Sequence, residues 1–517
     1  MLKRWFNTAG PCKPEQHYMV PVAQRLPEVR DLIARDSYFV VHAPRQIGKT
    51  TTLMALADEL TAEGKYTAAL VSLEMGAPFP EDVNLAEGAI LASWQMSLQH
   101  HLPRELWPPP WPDVEPGARI KSALTAWAEA SPRPLVVFLD EIDALQDTML
   151  ISVLRQLRDG YRERPRGFPG SLALVGLRDV RDYRIEVDDR GHLGTASPFN
   201  VKVDSLTLQD FTRAEVNGLY AQHTADTGQV FTPAALERVF YYTRGQPWLV
   251  NAIGRQLIDV LVTDRGRAIE PAHVDAAAKI LIERNDTHLD SLSERLREPR
   301  VRTIVEPMIG GVTPLVLPND DVRYVCDLGL IRRAADGTLE VGNPIYKDVI
   351  VRELMFVPRV SLPKVQPTWL TADGRLDAEQ LLTAFVAFWR RHAEPLMRAA
   401  PYHEIAPHLV LMAYLDRVAN GGGTVDREYA IGSGRVDLCL RHGATVVAIE
   451  LKVWREHEPD PLEEGLEQLD AYLAGLGLAT GWLVIFDRRP GLARLAERTR
   501  VDEVSSPGGR AVRVIRG

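Results

Sequence analysis

Two stretches of this chain carry residue types whose spacing could do chemistry on phosphates. The first is Ala43-Pro-Arg-Gln-Ile-Gly48-Lys49-Thr50-Thr51, directly after the apolar run 38–41. A phosphate-cradling loop needs backbone N–H groups turned inward at a helix N-terminus, a glycine before a lysine, and a hydroxyl for Mg2+. Gly48, Lys49 and Thr50 supply the strict part, with Thr51 beside them. Ala43 stands where such loops usually carry their first glycine. The matching stretch is Leu135-Val-Val-Phe-Leu-Asp140-Glu141, an apolar run closed by two carboxylates. At a strand's carboxyl end the first acid can hold Mg2+, directly or through water, and the second can orient and deprotonate an attacking water. A buried strand with a polar cap explains the apolar run but not the doubled acid. Asp140, with Thr50, is therefore assigned to the metal and Glu141 to the catalytic base. Hydrolysis of the nucleotide is expected rather than sensing alone.

A second constellation lies near the C-terminus. Gly434-Arg435-Val-Asp437-Leu-Cys439-Leu is followed, after a turn at 442–444, by Thr445-Val-Val-Ala-Ile-Glu450-Leu-Lys452. Read as a hairpin, the first strand carries Asp437 and the second Glu450 and Lys452. Side chains two apart on a strand share a face, so Glu450 and Lys452 point the same way. An ion pair across a hairpin is a common filler. It does not explain a glutamate and a lysine at alternate positions terminating an apolar run.

These residues need elements to hold them. Residues 38–206 alternate strand-sized apolar runs (38–41, 68–73, 135–139, 172–175 and 199–203) with helical stretches at 50–60, 84–100 and 120–130. That is the pattern of a parallel α/β sheet. The proline-rich loop 107–117 cannot be helix. From about residue 206 the strands stop, and 211–223, 232–243, 249–262 and 271–284 read as a helical lid. Residues 301–354 contain Asp327-Leu-Gly-Leu-Ile and then Ala335-Asp-Gly-Thr-Leu-Glu-Val, which suggest a helix end and two strands joined by a two-residue Asp-Gly turn. The stretch 357–373 has three prolines and no periodicity, and reads as a linker.

At 517 residues the chain is too long for one core. Hydrophobic residues at 45% and charged residues at 25% are ordinary for a globular protein. The longest apolar runs are strand-sized, so no membrane partner is expected. No apolar leader follows the two basic residues near the N-terminus. Cys12, Cys326 and Cys439 form no CxxC pair, which suits a reducing cytoplasm and argues against structural zinc. A net charge of −9 excludes a basic coat for nucleic acid, so any DNA contact must come from local patches such as 295–302 or 390–392.

Gly48-Lys49-Thr50 and Asp140-Glu141, with Gly176-Leu-Arg178-Asp-Val-Arg181 and Arg244-Gly245-Gln-Pro247-Trp248, resemble an AAA-type P-loop ATPase of the STAND-like branch. The resemblance covers about 1–350. It implies bound ATP and Mg2+, a Gly-x-Pro in the lid (Gly245, Pro247) that contacts the nucleotide, and Arg178 or Arg181 at the γ-phosphate. It also implies that the segment Phe6-Asn-Thr-Ala-Gly-Pro-Cys-Lys-Pro…His17-Tyr18-Met-Val-Pro caps the base. Residues 301–354 resemble a winged helix, which in such ATPases is favoured as a spacer over a DNA reader.

Residues 400–490 resemble the PD-(D/E)XK nuclease core. This implies that Asp437 and Glu450 bind Mg2+, that Lys452 activates water and stabilises the phosphorane, and that Gln468, one turn before Tyr472, lies at the site. A third helical carboxylate is expected, with Glu404 favoured over Asp416 and Glu428. The expected domains are an ATPase core at 1–205, a lid at 206–290, a winged-helix-like domain at 291–356, a linker at 357–375 and a nuclease-like domain at 376–517. The combined expectation is an α/β multidomain ATPase that uses ATP to regulate cleavage of DNA, possible as a homo-oligomer, in defence or mobile-element control. The alternatives are a signalling ATPase whose C-terminal domain docks nucleic acid or a partner uncut, and a plain ATPase with an interaction tail.

Overall fold

The computed structural model describes residues 4–178, 204–284, 287–309, 317–334, 336–363, 367–399, 405–419, 422–431 and 434–517. The chain forms two compact units, Met1–Glu294 with Leu317–Lys347, and Arg295–Val316 with Asp348–Gly517.

The first unit is built on β1 (Tyr38–His42), β2 (Thr67–Ser72), β3 (Leu135–Asp140), β4 (Ser171–Gly176) and β5 (Asp204–Thr207). They pair in the order β2-β3-β4-β1-β5, and every pairing is parallel. β3 and β4 are buried at every position, as unbroken apolar strands covered on both faces must be. Alternate residues serve opposite faces. Tyr38 and Val40 join the core under Trp94 and Trp127, while Phe39 and Val41 join Leu53 and Leu56 of the helix Lys49–Ala62. Because all five strands run the same way, their carboxyl ends line one edge, where loop residues converge. The strand expected at 199–203 lies outside the described residues, and β5 begins at Asp204.

Four helices follow, Arg213–Thr227, Pro233–Thr243, Pro247–Gln256 and Pro271–Arg284, the third running on as a π-helical turn, Leu257–Leu261. The segment Leu317–Lys347 adds the helix Asn319–Asp327 and a small antiparallel pair, β6 (Ile331–Arg333) and β7 (Leu339–Val341). Their connection is longer than the expected two-residue turn. The Gly337 N–H donates to the Ala334 carbonyl (2.9 Å), the Ala334 N–H donates to the Thr338 carbonyl (2.8 Å), and Gly337 sits at φ +87°. Asp-Gly suits this turn too, since the glycine takes the left-handed position that closes it.

The second unit carries a six-stranded mixed sheet in the order β12-β13-β11-β10-β9-β8. Its strands are β8 (Gly423–Ile431), β9 (Gly434–His442), β10 (Thr445–Trp454), β11 (Thr480–Asp487), β12 (Arg500–Ser505) and β13 (Ala511–Arg516). β8, β9 and β10 are antiparallel neighbours, β10, β11 and β13 are parallel, and β12 returns antiparallel at the edge. The order helix (Ala406–Ala419), hairpin (β9–β10), helix (Leu462–Leu476), strand (β11) is the one anticipated. β8 and the terminal pair β12–β13 were not anticipated. The proline-bearing stretch read as a linker opens with a short helix, Phe356–Ser361.

Candidate nucleotide site and candidate metal centre

At the carboxyl end of β1 the chain turns into the helix Lys49–Ala62 through Gln46 at φ +61° and Gly48 at φ +95°. These left-handed residues fold the loop over the helix N-terminus, and at Gly48 the glycine is required. The Lys49 ammonium donates to the carbonyls of Ala43 (2.8 Å) and Pro44 (3.0 Å). Burial lowers its pKa, opposed by the nearby carboxylates of Asp143, Asp140 and Glu141. β4 lies between β1 and β3, so Asp140 reaches the loop across the intervening strand's end. The Thr50 hydroxyl donates to the Asp140 carboxylate at 2.7 Å. A hydroxyl and a carboxylate meeting at a buried strand end fit the donor set for Mg2+, which keeps its remaining sites for water and phosphate.

Glu141 sits at φ +57°, a left-handed backbone uncommon for glutamate. Its N–H donates back to the Asp140 carboxylate at 2.9 Å. Burial, then the charges of Asp143 and Asp140, raise its carboxyl above the ordinary range. Asp143 accepts from the Leu177 N–H at 3.1 Å and so ties the acidic loop to the end of β4. It was not singled out in the sequence, although its place in Asp140-Glu-Ile-Asp143 was visible. Arg178 follows β4, but its guanidinium lies 3.9 Å from the centre of the Tyr324 ring, and its buried Nε has no hydrogen-bond partner among the described residues. Arg181 lies outside the described residues.

Beside the loop is a cavity of about 190 Å3. Its wall is shared by Gly48 and Thr51 of the phosphate loop, Thr8 and Gly10 of the N-terminal segment, and Trp248 and Asn251 of the lid. The N-terminal segment is anchored by Phe6, fully buried against Tyr18 and Tyr220, and fits beside Gly254, where a Cβ would stand 2.8 Å from its ring. Further ties come from the Cys12 N–H to the Thr51 hydroxyl (3.1 Å) and from the Trp248 indole N–H to the Thr8 carbonyl (2.9 Å). The lid approaches through Gly245 at φ +87°, whose carbonyl accepts from the Phe211 N–H at 2.8 Å. Any Cβ there would lie 1.9 Å from the Phe211 carbonyl oxygen. Pro247 then starts the helix Pro247–Gln256 at a position where the absent N–H costs nothing. Gly48, Thr51 and Pro247, singled out in the sequence, line this cavity, as does Trp248 of the quoted lid motif; Asn251 was not singled out.

In the second unit Ile449 pairs with Leu438, so one step further along the ladder Glu450 comes level with Asp437. Asp437 accepts from the Leu451 N–H at 2.8 Å. Glu450 is 3% exposed, and its Oε2 has no hydrogen-bond partner among the described residues. Burial, then the Asp437 charge, raise the Glu450 carboxyl well above the usual range. Two carboxylates that resist joint ionisation, one with an orphaned buried oxygen, fit a divalent cation. Among the described residues no three His, Cys, Asp or Glu side chains form a metal cage, so water would complete the coordination. The Lys452 ammonium lies 3.5 Å from Glu450, and it donates to Glu464 (3.0 Å) and Gln468 (2.5 Å) of the helix Leu462–Leu476. Gln468 thus stands at the site, and Glu464 is the neighbour that sequence reading missed. Glu404 and the side chain of Glu428 lie outside the described residues. Asp416 pairs with Arg359 at 3.5 Å.

No family model matches the chain, and no curated protein matches it. Among solved structures it is similar to a Walker-type ATPase of Pyrococcus abyssi, at 14% identity and TM-score 0.46, over 67% of this chain and 99% of that one. It is also similar to the RuvB Holliday junction branch migration motor of Thermotoga maritima, at 16% identity and TM-score 0.34, over 64% of this chain and 92% of that one. A third likeness is to the ORC2 protein of Aeropyrum pernix, at 16% identity and TM-score 0.35, over 64% and 90%. Likenesses this distant carry no functional argument. The assignment of a P-loop α/β fold rests on the parallel five-stranded sheet and the loop and acids at its edge.

Proposed function

We propose that this chain is an ATP-hydrolysing protein that uses nucleotide state to regulate Mg2+-dependent cleavage of DNA by its C-terminal unit. The observation that carries the first half is the convergence of Lys49, Thr50, Asp140 and Glu141 from separate strand ends. In this reading Lys49 leaves the Ala43 and Pro44 carbonyls to meet the β- and γ-phosphates. Thr50 and Asp140 hold Mg2+, which supplies charge neutralisation at the phosphates. Glu141 takes the proton of the attacking water, a role suited to a carboxylate whose basicity burial raises.

The second half rests on Asp437, Glu450 and Lys452. The two acids hold the cation, Lys452 faces the developing phosphorane charge, and Gln468 fixes the lysine's direction. Plasmid DNA incubated with the full chain, Mg2+ and ATP tests this. Cleavage by the wild type and not by Lys452→Ala supports it, and equal cleavage by both, or by neither, overturns the nuclease reading. A second reading has the C-terminal unit hold nucleic acid without cutting it. It is favoured by one observation, that Lys452 is already engaged by Glu464 and Gln468. DNA binding with no cleavage under varied divalent metals would establish it.

A further inference from the structure

We propose that Asn251 is the residue by which the cavity beside the phosphate loop selects adenine over guanine. The inference rests on the nucleotide reading of that cavity and names what in it reads the base. Phosphates seated on the loop place the nucleoside in the adjoining space, whose wall includes Gly48 and Thr51 at the loop and Asn251 in the lid.

Asn251 is 7% exposed, on the helix Pro247–Gln256. Its amide has a definite orientation. The Pro247 carbonyl can only accept, so it is the Nδ2 group that donates to it, at 2.9 Å. That leaves Oδ1 as the free end of the amide, buried and with no hydrogen-bond partner among the described residues. A buried carbonyl without a donor is costly, and natural structures retain few of them. Asn251 belongs to the cavity wall, so Oδ1 is the end of its amide left for a ligand.

The base edge that satisfies such an atom is a donor. Adenine carries an amino group at C6 and guanine a carbonyl oxygen there. With the C6 edge turned to Asn251, adenine donates a hydrogen bond to Oδ1, whereas guanine sets two acceptors against each other. Of the other lid side chains on this wall, Phe211, Leu219, Pro247 and Trp248, none carries an acceptor. The Trp248 N–H is already given to the Thr8 carbonyl, and Pro247 has none.

The test uses the full chain and diphosphates, which avoid hydrolysis. Calorimetric titrations with ADP, GDP and purine riboside 5′-diphosphate, which has hydrogen at C6, are run on the wild type and on Asn251→Leu. The wild type is expected to bind ADP about tenfold or more tighter than either of the others. Asn251→Leu is expected to bind ADP and the purine riboside diphosphate alike. If the wild type binds all three equally, or if Asn251→Leu keeps the full preference for ADP, the assignment to Asn251 falls and nucleotide binding stands. If the wild type binds none of them, the nucleotide reading falls and takes this inference with it. The wild-type series needs no folded variant, so equal binding of the three diphosphates overturns the assignment even if Asn251→Leu is unstable.

Discussion

Glu141 and Glu450 are carboxylates raised in pKa by burial, and each is placed where its protonation state matters. Replacing Glu141 with glutamine keeps the shape and removes the base. Steady-state phosphate release should fall by roughly 10²- to 10⁴-fold, while the dissociation constant for ATP stays within a few-fold. A parallel fall in binding would place Glu141 in the phosphate cradle instead. For Glu450 the readout is metal-linked stability. If a cation binds the native state through this carboxylate, as proposed, saturating Mg2+ should raise the melting temperature of the wild type by a few degrees and leave Glu450→Gln unmoved. In EDTA the glutamine variant should melt no lower than the wild type, since the substitution removes a buried group that resists ionisation. Glu141 and Glu450 stood out in the sequence as candidates because each closes an apolar run. Asn251 did not, because an asparagine in the middle of a helix has no local signature; only its burial and its leftover carbonyl mark it out.

At the scale of elements, the lid's approach depends on one glycine. Gly245 combines a left-handed backbone with a Cβ position inside the Phe211 carbonyl, so Gly245→Ala should destabilise the first unit by about 2 kcal/mol or more. Gly218 is exposed within the helix Arg213–Thr227, and a Cβ added there would meet no atom within 4 Å. Gly218→Ala should therefore stabilise by about 0.5–1 kcal/mol. Thermal melts of the two variants should shift in opposite directions. A second element-scale joint is His288, whose Nε2 lies 2.7 Å from the Tyr346 hydroxyl and whose ring is 4.8 Å from that of Trp248. Burial lowers its pKa from 6.5 to about 4. The native state thus stays neutral where the unfolded chain takes up a proton. Its contribution is complete above pH 6.5 and is lost as the pH falls from there toward 4. Stability measured across that window should decline less steeply in His288→Phe than in the wild type, by on the order of 2 kcal/mol at the acid end. An identical slope would remove His288 from the joint.

For the whole molecule the proposal is that one site governs the other. DNA cleavage by the wild type should change several-fold between ATP and no nucleotide, and Lys49→Ala, which cannot hold the phosphates, should cleave at one rate under both conditions. An ATP response that survives in Lys49→Ala would sink the regulatory idea and leave both sites intact. The amino-acid sequence by itself determined what is set locally. Examples are the loop Gly48-Lys49-Thr50 at a helix start, the paired acids at the end of β3, and the alternation that puts Glu450 and Lys452 on one face of β10. Each follows from backbone geometry over a few residues. The tertiary structure alone decided what depends on distant partners and on exclusion of water. It set Thr8 against Trp248 across 240 positions, Glu464 and Gln468 onto Lys452, Arg178 onto Tyr324, and the raised carboxyl of Glu450. Hydrogen-bond partners far apart in the chain and the desolvation of a charge are properties of packing, and no spacing of residues encodes them.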